Sequence, residues 1–314
     1  MTGAADEDAF DPLLRLRGEG MSSRAPELAE WLALEDARLA ELVRAMALSI
    51  ALPGDGTRRY ALLRSAGETL TPQRYLALAE QGLSNMLGRV FACGVHTVLC
   101  PLLPPSAFAR GEAYALRGLQ ASVASLTGAA LRDHYAAWGV RARLYGHRDV
   151  PASPAVREAL HRLEDALIAC TPAGERLLLF GFSPLPDLDA SLAAAARLGP
   201  DSARAAVRRA LFPEGPTRVD LAVTYGQLRV NAILPALLDE GADVYHLPGL
   251  PFDLAARDLR LMLYDHLFTR PSARRDVDAY DGQSLDLIRW ASARADSVEG
   301  LDAGTLRQLR EPDG

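Results

Sequence analysis

Hydrophobic and polar positions follow two kinds of pattern along this chain. Short apolar or alternating runs, bounded by glycine, proline or polar residues, are typical of buried strands. Longer stretches, in which leucine, alanine and methionine recur at helical spacing, predict amphipathic helices. The predicted strands are 49–52, 95–101, 140–146, 176–182, 219–226 and 243–247, and the predicted helical segments are 24–46, 72–93, 108–138, 153–169, 187–211 and 254–268.

The order of these elements predicts the fold class. Strands that alternate with helices form a parallel sheet covered by helices, so we expect an α/β fold with a central parallel sheet of about six strands. We expect an N-terminal helical extension at 1–47, the α/β domain at 48–270 and a C-terminal helical arm at 271–314. The sequence contains no internal repeat and no low-complexity linker.

The first predicted strand ends in a turn with the sequence P-G-D-G-T-R-R. In open α/β sheets such a turn lies at the carboxyl edge, where ligands bind. Gly54 and Gly56 allow a close approach of the backbone, whose amides can bind an anion, and Arg58 and Arg59 suit phosphate oxygens. Asp55 could hold Mg²⁺ or move a proton. The alternative is that Asp55 is a turn residue and the two arginines are surface charge.

Composition narrows the class of protein. The chain has 314 residues, of which 49% are hydrophobic and 24% charged, and its net charge of −6 counts against a nucleic-acid surface. No long apolar run predicts a membrane span, and the acidic start at 1–11 has no apolar core for a secretion signal. Cys93, Cys100 and Cys170 are too few and too scattered for a disulfide framework. We therefore expect a cytoplasmic protein.

All 34 basic residues counted as lysine or arginine are arginine. This excludes a Walker-type phosphate loop, a Schiff-base lysine and a pyridoxal-phosphate enzyme. No G-x-G-x-x-G follows the first strand and no G-x-S-x-G occurs, which counts against a dinucleotide-binding fold and an α/β-hydrolase. The absence of D-D-x-x-D disfavours an all-helical class I terpene cyclase.

Two motifs resemble those of cis-prenyltransferases, the undecaprenyl diphosphate synthase superfamily. D-G-T-R-R-Y at 55–60 is similar to the family's D-G-N-x-R loop, and V-D-L-A-V at 219–223 is similar to its V-D-L-V-I strand. The resemblance is greater to one divergent branch, the tuberculosinol synthase and tuberculosinyl adenosine transferase type. Further segments similar to this branch are G-V-H-T-V at 94–98, R-G-E-A-Y at 110–114, L-R-L-M-L-Y-D-H at 259–266 and the arm at 280–300.

The resemblance implies a site and a reaction. It implies a homodimer in which an isoprenoid chain lies in an apolar tunnel between the sheet and two helices, at 72–93 and 108–126. Asp55 would be a catalytic residue and a ligand of the cofactor Mg²⁺. The reaction would begin with loss of diphosphate from a prenyl diphosphate, which requires positive charge around the leaving group and a dry cavity around the cation. The implied diphosphate ligands are Gly56, Thr57, Arg58 and Arg59.

The second-substrate site of chain-elongating family members is incomplete here. Those members bind isopentenyl diphosphate through R-x-x-G-x-x-R-x-S, whereas this chain has V-T-Y-G-Q-L-R-V-N at 223–231. Gly226 and Arg229 match the pattern, but Val223 replaces its first arginine. P-L-L-P-P at 101–105 also replaces the family's S-x-N-W segment. We expect Arg229 to bind diphosphate, and we do not expect chain elongation.

Two further residues are assigned from the resemblance. Tyr75 lies near the position at which the tuberculosinol branch has a tyrosine facing the cation, where a phenol could orient water or its ring could stabilise positive charge. Asp243 lies near the family's metal-binding glutamate. The structural alternatives are a packed ring for Tyr75 and a loop-to-strand cap for Asp243. Three histidines are expected at strand edges or helix surfaces, with no chemistry: His96, His147 and His266.

Three functions remain open. The first is a terpene synthase that ionises a C15 or C20 prenyl diphosphate and quenches the cation with water or by proton loss. The second is a transferase that moves the prenyl group to a nucleophile or to a second prenyl diphosphate. The third is a non-catalytic subunit that supports an active cis-prenyltransferase. The first is favoured, because the chain keeps Asp55 and both arginines, which a scaffold does not need, and lacks half of the elongation site.

Overall fold

The computed structural model shows an α/β fold with one central sheet, as predicted. It describes residues 26–54, 57–65, 67–147, 152–183, 187–199, 204–212, 214–216, 218–225, 242–247 and 249–269. Within these residues the sheet has six strands. They are β1 Ser49–Ala51, β2 Thr97–Leu103, β3 Val140–Tyr145, β4 Arg176–Phe182, β5 Leu221–Tyr225 and β6 Asp243–Leu247.

The strands lie in the order β3-β4-β2-β1-β5-β6, and every neighbouring pair is parallel. The predicted parallel sheet of about six strands, flanked by helices, is therefore confirmed. All the strands end at one edge of the sheet, which we call the carboxyl edge, and begin at the opposite amino edge. β1 lies near the middle of the sheet, so residues 52–54, which follow it, lie near the centre of the carboxyl edge.

Helices cover both faces of the sheet. The helices of the described part are α1 Leu28–Ala33, α2 Asp36–Ala45, α3 Thr57–Arg64, α4 Pro72–Ala92, α5 Pro105–Phe108, α6 Glu112–Leu126, α7 Ala129–Trp138, α8 Pro154–Cys170, α9 Asp187–Leu198, α10 Arg204–Leu211 and α11 Ala256–Tyr264. A 3₁₀ turn at Pro251–Asp253 precedes α11, and a π-helical turn at Asp265–Thr269 follows it. Two helices begin with a hydroxyl cap followed by proline, since Thr71 caps α4 and Ser153 caps α8.

The two faces of the sheet bury cores of different size. The larger core contains side chains such as Ile50, Val98 and Phe180 together with the apolar stripes of α4, α6 and α8. The smaller core lies on the other face and includes Leu99 and Phe212. Consecutive residues of β1, β2 and β4 therefore alternate between two buried faces. This explains why these strands are continuous apolar runs in the sequence.

The single helix predicted at 24–46 is two helices, α1 and α2. The chain leaves helical geometry at Leu34, where the ψ angle is 140°. The carbonyl oxygens of Leu32 and Leu34 instead accept hydrogen bonds from the guanidinium of Arg260 in α11, at 2.9 and 2.8 Å. The indole of Trp31 donates to the carbonyl of Arg260 at 2.8 Å. Residues of the predicted N-terminal extension therefore pack directly on α11.

β2 continues past its predicted end at Pro101 as far as Leu103. The pairing of β2 with β4 shifts between these two residues, which is a bulge that accommodates a proline within a central strand. The Pro101 carbonyl remains available and accepts a hydrogen bond from the chain after β1. The bulge thus carries β2 beyond β1 at the carboxyl edge.

Some predictions fall outside the described residues. They include the C-terminal arm at 271–314. The division of the chain at 47 and 270 stays a prediction. In the part of the chain that the structure describes, no helix has the length and apolar character needed to cross a membrane.

Candidate active site

The chain after β1 remains attached to β2 as far as Gly54. The Leu52 amide donates to the Leu99 carbonyl at 2.7 Å, and the Gly54 amide donates to the Pro101 carbonyl at 3.0 Å. A Cβ atom at Gly54 would lie 2.6 Å from a methyl carbon of Leu102, so the close packing favours glycine here. The close approach predicted for Gly54 is therefore made to β2. Its amide is already bonded, which corrects the expectation that it could bind an anion.

Helix α3 begins at Thr57, directly after the turn, and was not foreseen from the sequence. Its inner side is anchored by Tyr60, whose ring meets that of Phe252 edge to face at a centroid distance of 5.1 Å. Gly82 of α4 allows this packing, since a Cβ atom there would lie within 3 Å of both rings. Arg64 and Asp253 form an exposed ion pair at 2.6 Å at the far end of α3, and the hydrogen bond to that carboxylate raises the pKa of Arg64.

The structure brings together two residues predicted for the site, Thr57 and Tyr75. The Thr57 hydroxyl oxygen lies 2.6 Å from the Tyr75 phenol oxygen, which is a short hydrogen bond between two side chains. Thr57 is the first residue of α3, and Tyr75 lies in the first turn of α4. Both residues are half-buried. The starts of two helices therefore meet at the carboxyl edge through a pair of hydroxyl groups.

Arg58 and Arg59 follow in the first turn of α3, and both are exposed. Among the described residues neither guanidinium forms a hydrogen bond or an ion pair. The first backbone amides of a helix have no acceptor within the helix, and that end carries partial positive charge. Two uncompensated guanidinium groups and a helix start therefore lie side by side, an arrangement suited to an anion with several oxygens.

Apolar side chains lie half-buried near the end of β2. Leu102 and Leu103 belong to this group, and so do Phe108 and Leu116 on the helices that follow. Helix α6 passes close to β2, because a Cβ atom at Gly118 would contact Leu103 at 3.4 Å. The carboxyl edge thus presents apolar surface as well as cations. The apolar tunnel implied by the resemblance stays a prediction.

Asp243, the second predicted metal ligand, lies away from this cluster. It starts β6 and pairs with Leu221, which in turn pairs with Ile50 near the start of β1. Its carboxylate accepts a 2.6 Å hydrogen bond from the His266 ring, and both side chains are buried. The structure therefore places Asp243 toward the amino edge of the sheet, level with the start of β1. Its metal role stays a prediction.

Two of the histidines expected at strand edges or helix surfaces are buried. His266 pairs with Asp243, and the Nε2 atom of His147 lies 3.0 Å from the carboxylate of Glu164 in α8. In each pair a carboxylate from another part of the chain bonds one ring nitrogen, while Nδ1 of His147 has no partner among the described residues. Only the tertiary structure supplies these partners, so the sequence carried no signal for them.

Asp55, Gly56 and Arg229 lie outside the described residues, and their assigned roles stay predictions. In the described ranges, no group of three or more histidine, cysteine, aspartate or glutamate side chains could hold a metal ion. The predicted Mg²⁺ site, with Asp55 and Asp243 as ligands, stays a prediction.

These features define a class: an α/β protein with a parallel sheet and, after its central strand, a helix whose first turn carries two exposed arginines. The chain is similar to tuberculosinyl adenosine transferase of Mycobacterium tuberculosis (strain CDC 1551 / Oshkosh). The two are 22% identical over 283 residues, which cover 87% of this chain and 94% of the relative. The resemblance to this branch, predicted from short motifs, is thus confirmed along most of the chain. No protein-family model matches the sequence.

Two solved structures also resemble this chain. Lavandulyl diphosphate synthase from Lavandula x intermedia, in complex with dimethylallyl diphosphate, is 17% identical, with 69% of this chain and 94% of that chain covered and a TM-score of 0.48. A probable undecaprenyl diphosphate synthase from Campylobacter jejuni is 14% identical, with 70% and 94% covered and a TM-score of 0.49.

Proposed function

We propose that this protein is an enzyme acting on allylic prenyl diphosphates, and that it releases diphosphate to leave a carbocation. The observation that carries the proposal is the hydrogen bond between Thr57 and Tyr75, beside two exposed arginines that have no partner among the described residues. Ionisation requires positive charge around the leaving group and a cavity that excludes water from the cation. Similarity to a prenyl transferase over 87% of the chain supports it.

The anion half stabilises the leaving group. Arg58 and Arg59 would each donate two parallel hydrogen bonds to diphosphate oxygens, and the Thr57 hydroxyl would donate another. All three residues lie in the first turn of α3, so their backbone positions are set by the helix. Mg²⁺, when bound by Asp55 and the diphosphate, supplies further positive charge on the leaving group. Asp243 would have to give up its bond with His266 to take part.

We assign the cation half to the Tyr75 side of the hydroxyl pair. Tyr75 is half-buried, and the residue after it, Leu76, is half-buried too. An aromatic ring stabilises a nearby cation through its π face, and apolar walls exclude water from the reaction. We propose that a C15 or C20 chain occupies this side. Water or proton loss would then quench the cation, giving an alcohol or a hydrocarbon in a terpene synthase reaction.

A second candidate is transfer of the prenyl group to a nucleophile. The relative's name describes a transferase whose acceptor is adenosine, and the similarity extends over most of both chains. Transfer begins with the same ionisation, so the same residues would serve. The two candidates differ only in what quenches the cation.

The experiment is to incubate purified protein and Mg²⁺ with geranyl, farnesyl or geranylgeranyl diphosphate. Released pyrophosphate is measured, and extracts are analysed by mass spectrometry. We expect pyrophosphate and a single-substrate product. Parallel reactions contain adenosine or labelled isopentenyl diphosphate. Turnover that requires adenosine would support transfer, and label in a longer chain would contradict one-substrate chemistry. No release from any of the three substrates would favour the non-catalytic subunit.

We also propose that the protein acts as a homodimer in the cytoplasm. Light scattering at several protein concentrations tests the first part, with an expected mass twice that of one chain. A monomer that is fully active would contradict it.

A further inference from the structure

We propose that Thr57 and Tyr75 form a proton path from the carbocation to the departed diphosphate. This inference rests on the proposed function, because the path needs both a cation and a leaving group. Its basis is the 2.6 Å contact between the two hydroxyl oxygens, which is at the short end of the range for such hydrogen bonds. Either oxygen can be the donor in this contact.

Each hydroxyl is held by its own helix. The Tyr75 amide bonds to the Thr71 carbonyl at 2.9 Å, and the Thr71 hydroxyl caps the same turn by accepting from the Arg74 amide. Thr57 is fixed at the start of α3, which packs on α4 through Tyr60 and Gly82. The contact therefore depends on how two helices pack, and it does not require a flexible side chain to find its partner.

Neither hydroxyl has a second hydrogen-bond partner among the described residues. A hydroxyl can donate one hydrogen bond and accept two. Thr57 and Tyr75 therefore each keep a free position when they bond to each other. The unused capacity of Thr57 lies at the start of α3, next to Arg58 and Arg59 in the sequence. The unused capacity of Tyr75 lies on its phenol oxygen.

A bound diphosphate fixes the direction of this contact. Phosphate oxygens without protons can only accept, so the Thr57 hydroxyl must use its single hydrogen to bond them. Thr57 can then only accept from Tyr75, whose hydrogen points to it. The lone pairs of the phenol oxygen are left open to receive a proton from the other side. Substrate binding thus sets the order Tyr75 to Thr57 to diphosphate.

The cation loses its proton along the same path, from Tyr75 through Thr57 to the diphosphate. When a C–H bond next to the cationic carbon breaks, its electron pair forms the double bond and its proton goes to the phenol oxygen. The phenol's own proton moves to Thr57, and the Thr57 proton moves to a diphosphate oxygen. If water adds instead, the proton comes from the new C–O group. Both hydroxyls are restored, diphosphate gains one proton, and no further reactant is needed.

The diphosphate is a suitable final acceptor. On leaving, it keeps the electron pair of the broken C–O bond and gains negative charge, so it becomes a stronger base than it was in the substrate. The Tyr75 phenol cannot be the final proton acceptor, because a phenol oxygen that carries two protons is a strong acid. A path that removes one proton while delivering another avoids that species.

The test compares Thr57→Val, Thr57→Ser and Tyr75→Phe with the wild type. Thr57→Val keeps the size of the side chain and removes the hydroxyl, whereas Thr57→Ser keeps the hydroxyl. Two quantities are measured for each: pyrophosphate released per enzyme, and the share of the main wild-type product among all products. We expect Thr57→Val and Tyr75→Phe to lower that share about tenfold while pyrophosphate is still released. Thr57→Ser should keep the wild-type share.

The double variant should lower the share no further than either single variant, because either change breaks the same path. An unchanged product share in Thr57→Val would overturn the proposal, even if pyrophosphate release fell, since that is the result of a role in binding alone. Additive losses in the double variant would overturn it as well. Tyr75→Phe removes one oxygen atom and tests the path independently if Thr57→Val does not fold. A wild type that releases no pyrophosphate would instead contradict the proposed function.

Discussion

The polar groups near the two ends of β1 differ in whether they have hydrogen-bond partners within the protein. At the amino end, the amide and the hydroxyl of Ser49 both donate to one carboxylate oxygen of Asp220 at 2.8 Å, and Arg218 donates to the other at 3.1 Å. At the carboxyl end, Arg58 and Arg59 are exposed and have no such partner in the described part of the chain. One end is fully paired within the protein, and the other is ready for a ligand.

Asp243 and His266 extend the same contrast across the sheet. Both are buried, and each is the other's partner at 2.6 Å. Burying a polar group costs free energy unless the group is hydrogen-bonded, and these two side chains satisfy that condition through each other. Paired polar groups therefore build the fold, whereas cations left without partners at a helix start are free to bind. Asp220 belongs to the V-D-L motif, and its carboxylate bonds to Ser49 and Arg218.

The largest effect should follow from a change in the turn at the carboxyl end. Asp55→Asn keeps the size of the side chain and removes its charge and its capacity to hold Mg²⁺ or a proton. We expect turnover to fall about 100-fold or more, with a free energy of unfolding within about 1 kcal/mol of the wild type. Pyrophosphate release and urea unfolding measure the two. Asp165→Asn, an exposed change on α8, is the matched control and should alter neither.

The amino end should respond in the opposite way. Asp220→Ala leaves the buried Ser49 amide without its acceptor, and Arg218 loses its ion pair with Asp220. The Ser49 hydroxyl loses one of its two acceptors and keeps the Arg218 carbonyl at 2.9 Å. We expect the free energy of unfolding to fall by about 3 kcal/mol, while the molecules that remain folded keep their activity. Urea unfolding and activity per folded molecule are the measurements. If the Asp220→Ala protein were as stable as the wild type but inactive, Asp220 would have a role in catalysis and not in stability.

A smaller effect is expected for the two exposed arginines. Arg58→Lys and Arg59→Lys keep the charge and lose the forked geometry that bonds two oxygens at once. The loss of one charge-assisted hydrogen bond should weaken substrate or pyrophosphate binding about tenfold in each variant. Inhibition by inorganic pyrophosphate measures this directly. The control is Arg162→Lys, on an exposed side of α8, which should bind pyrophosphate like the wild type. If all three variants bind pyrophosphate equally well, Arg58 and Arg59 do not belong to the site.

Much of the sheet was predictable because its strands are buried on both faces, so their apolar runs stand out in the sequence. Helix α3 was missed because few of its residues are buried, namely Tyr60 and Ala61, while Leu62 and Leu63 are exposed at 53% and 71%. Packing of Tyr60 against Phe252 favours the helix, and that contact joins distant parts of the chain. Apolar spacing alone therefore gives no sign of it.

The site was predictable in part. The turn's place at the carboxyl edge follows from the rule for parallel sheets, and Thr57 and Tyr75 were both assigned to the site. Their contact was not foreseen, because it depends on how α3 and α4 pack. The Gly54 amide was expected to be available to an anion. It is not, because β2 extends past Pro101 and the Pro101 carbonyl accepts its hydrogen bond. Local sequence gives the residue types, but neighbouring strands decide which groups stay free.

The smallest expected effect belongs to the amino edge and depends on pH. Burial lowers the pKa of His96, and the charges of Arg141 and Arg176 lower it further, while Glu175 opposes them. The folded protein therefore holds fewer protons at this ring than the unfolded chain does, and the free energy of unfolding should decrease as the pH falls below the ring's ordinary pKa of 6.5. Above that value His96 contributes no slope. His96→Gln removes the titration and keeps a polar group beside Thr97, so urea unfolding at about pH 7.5 and about pH 5.5 should show a smaller decrease in the variant than in the wild type. Equal decreases in the two proteins would show that other groups account for the acid sensitivity of the amino edge.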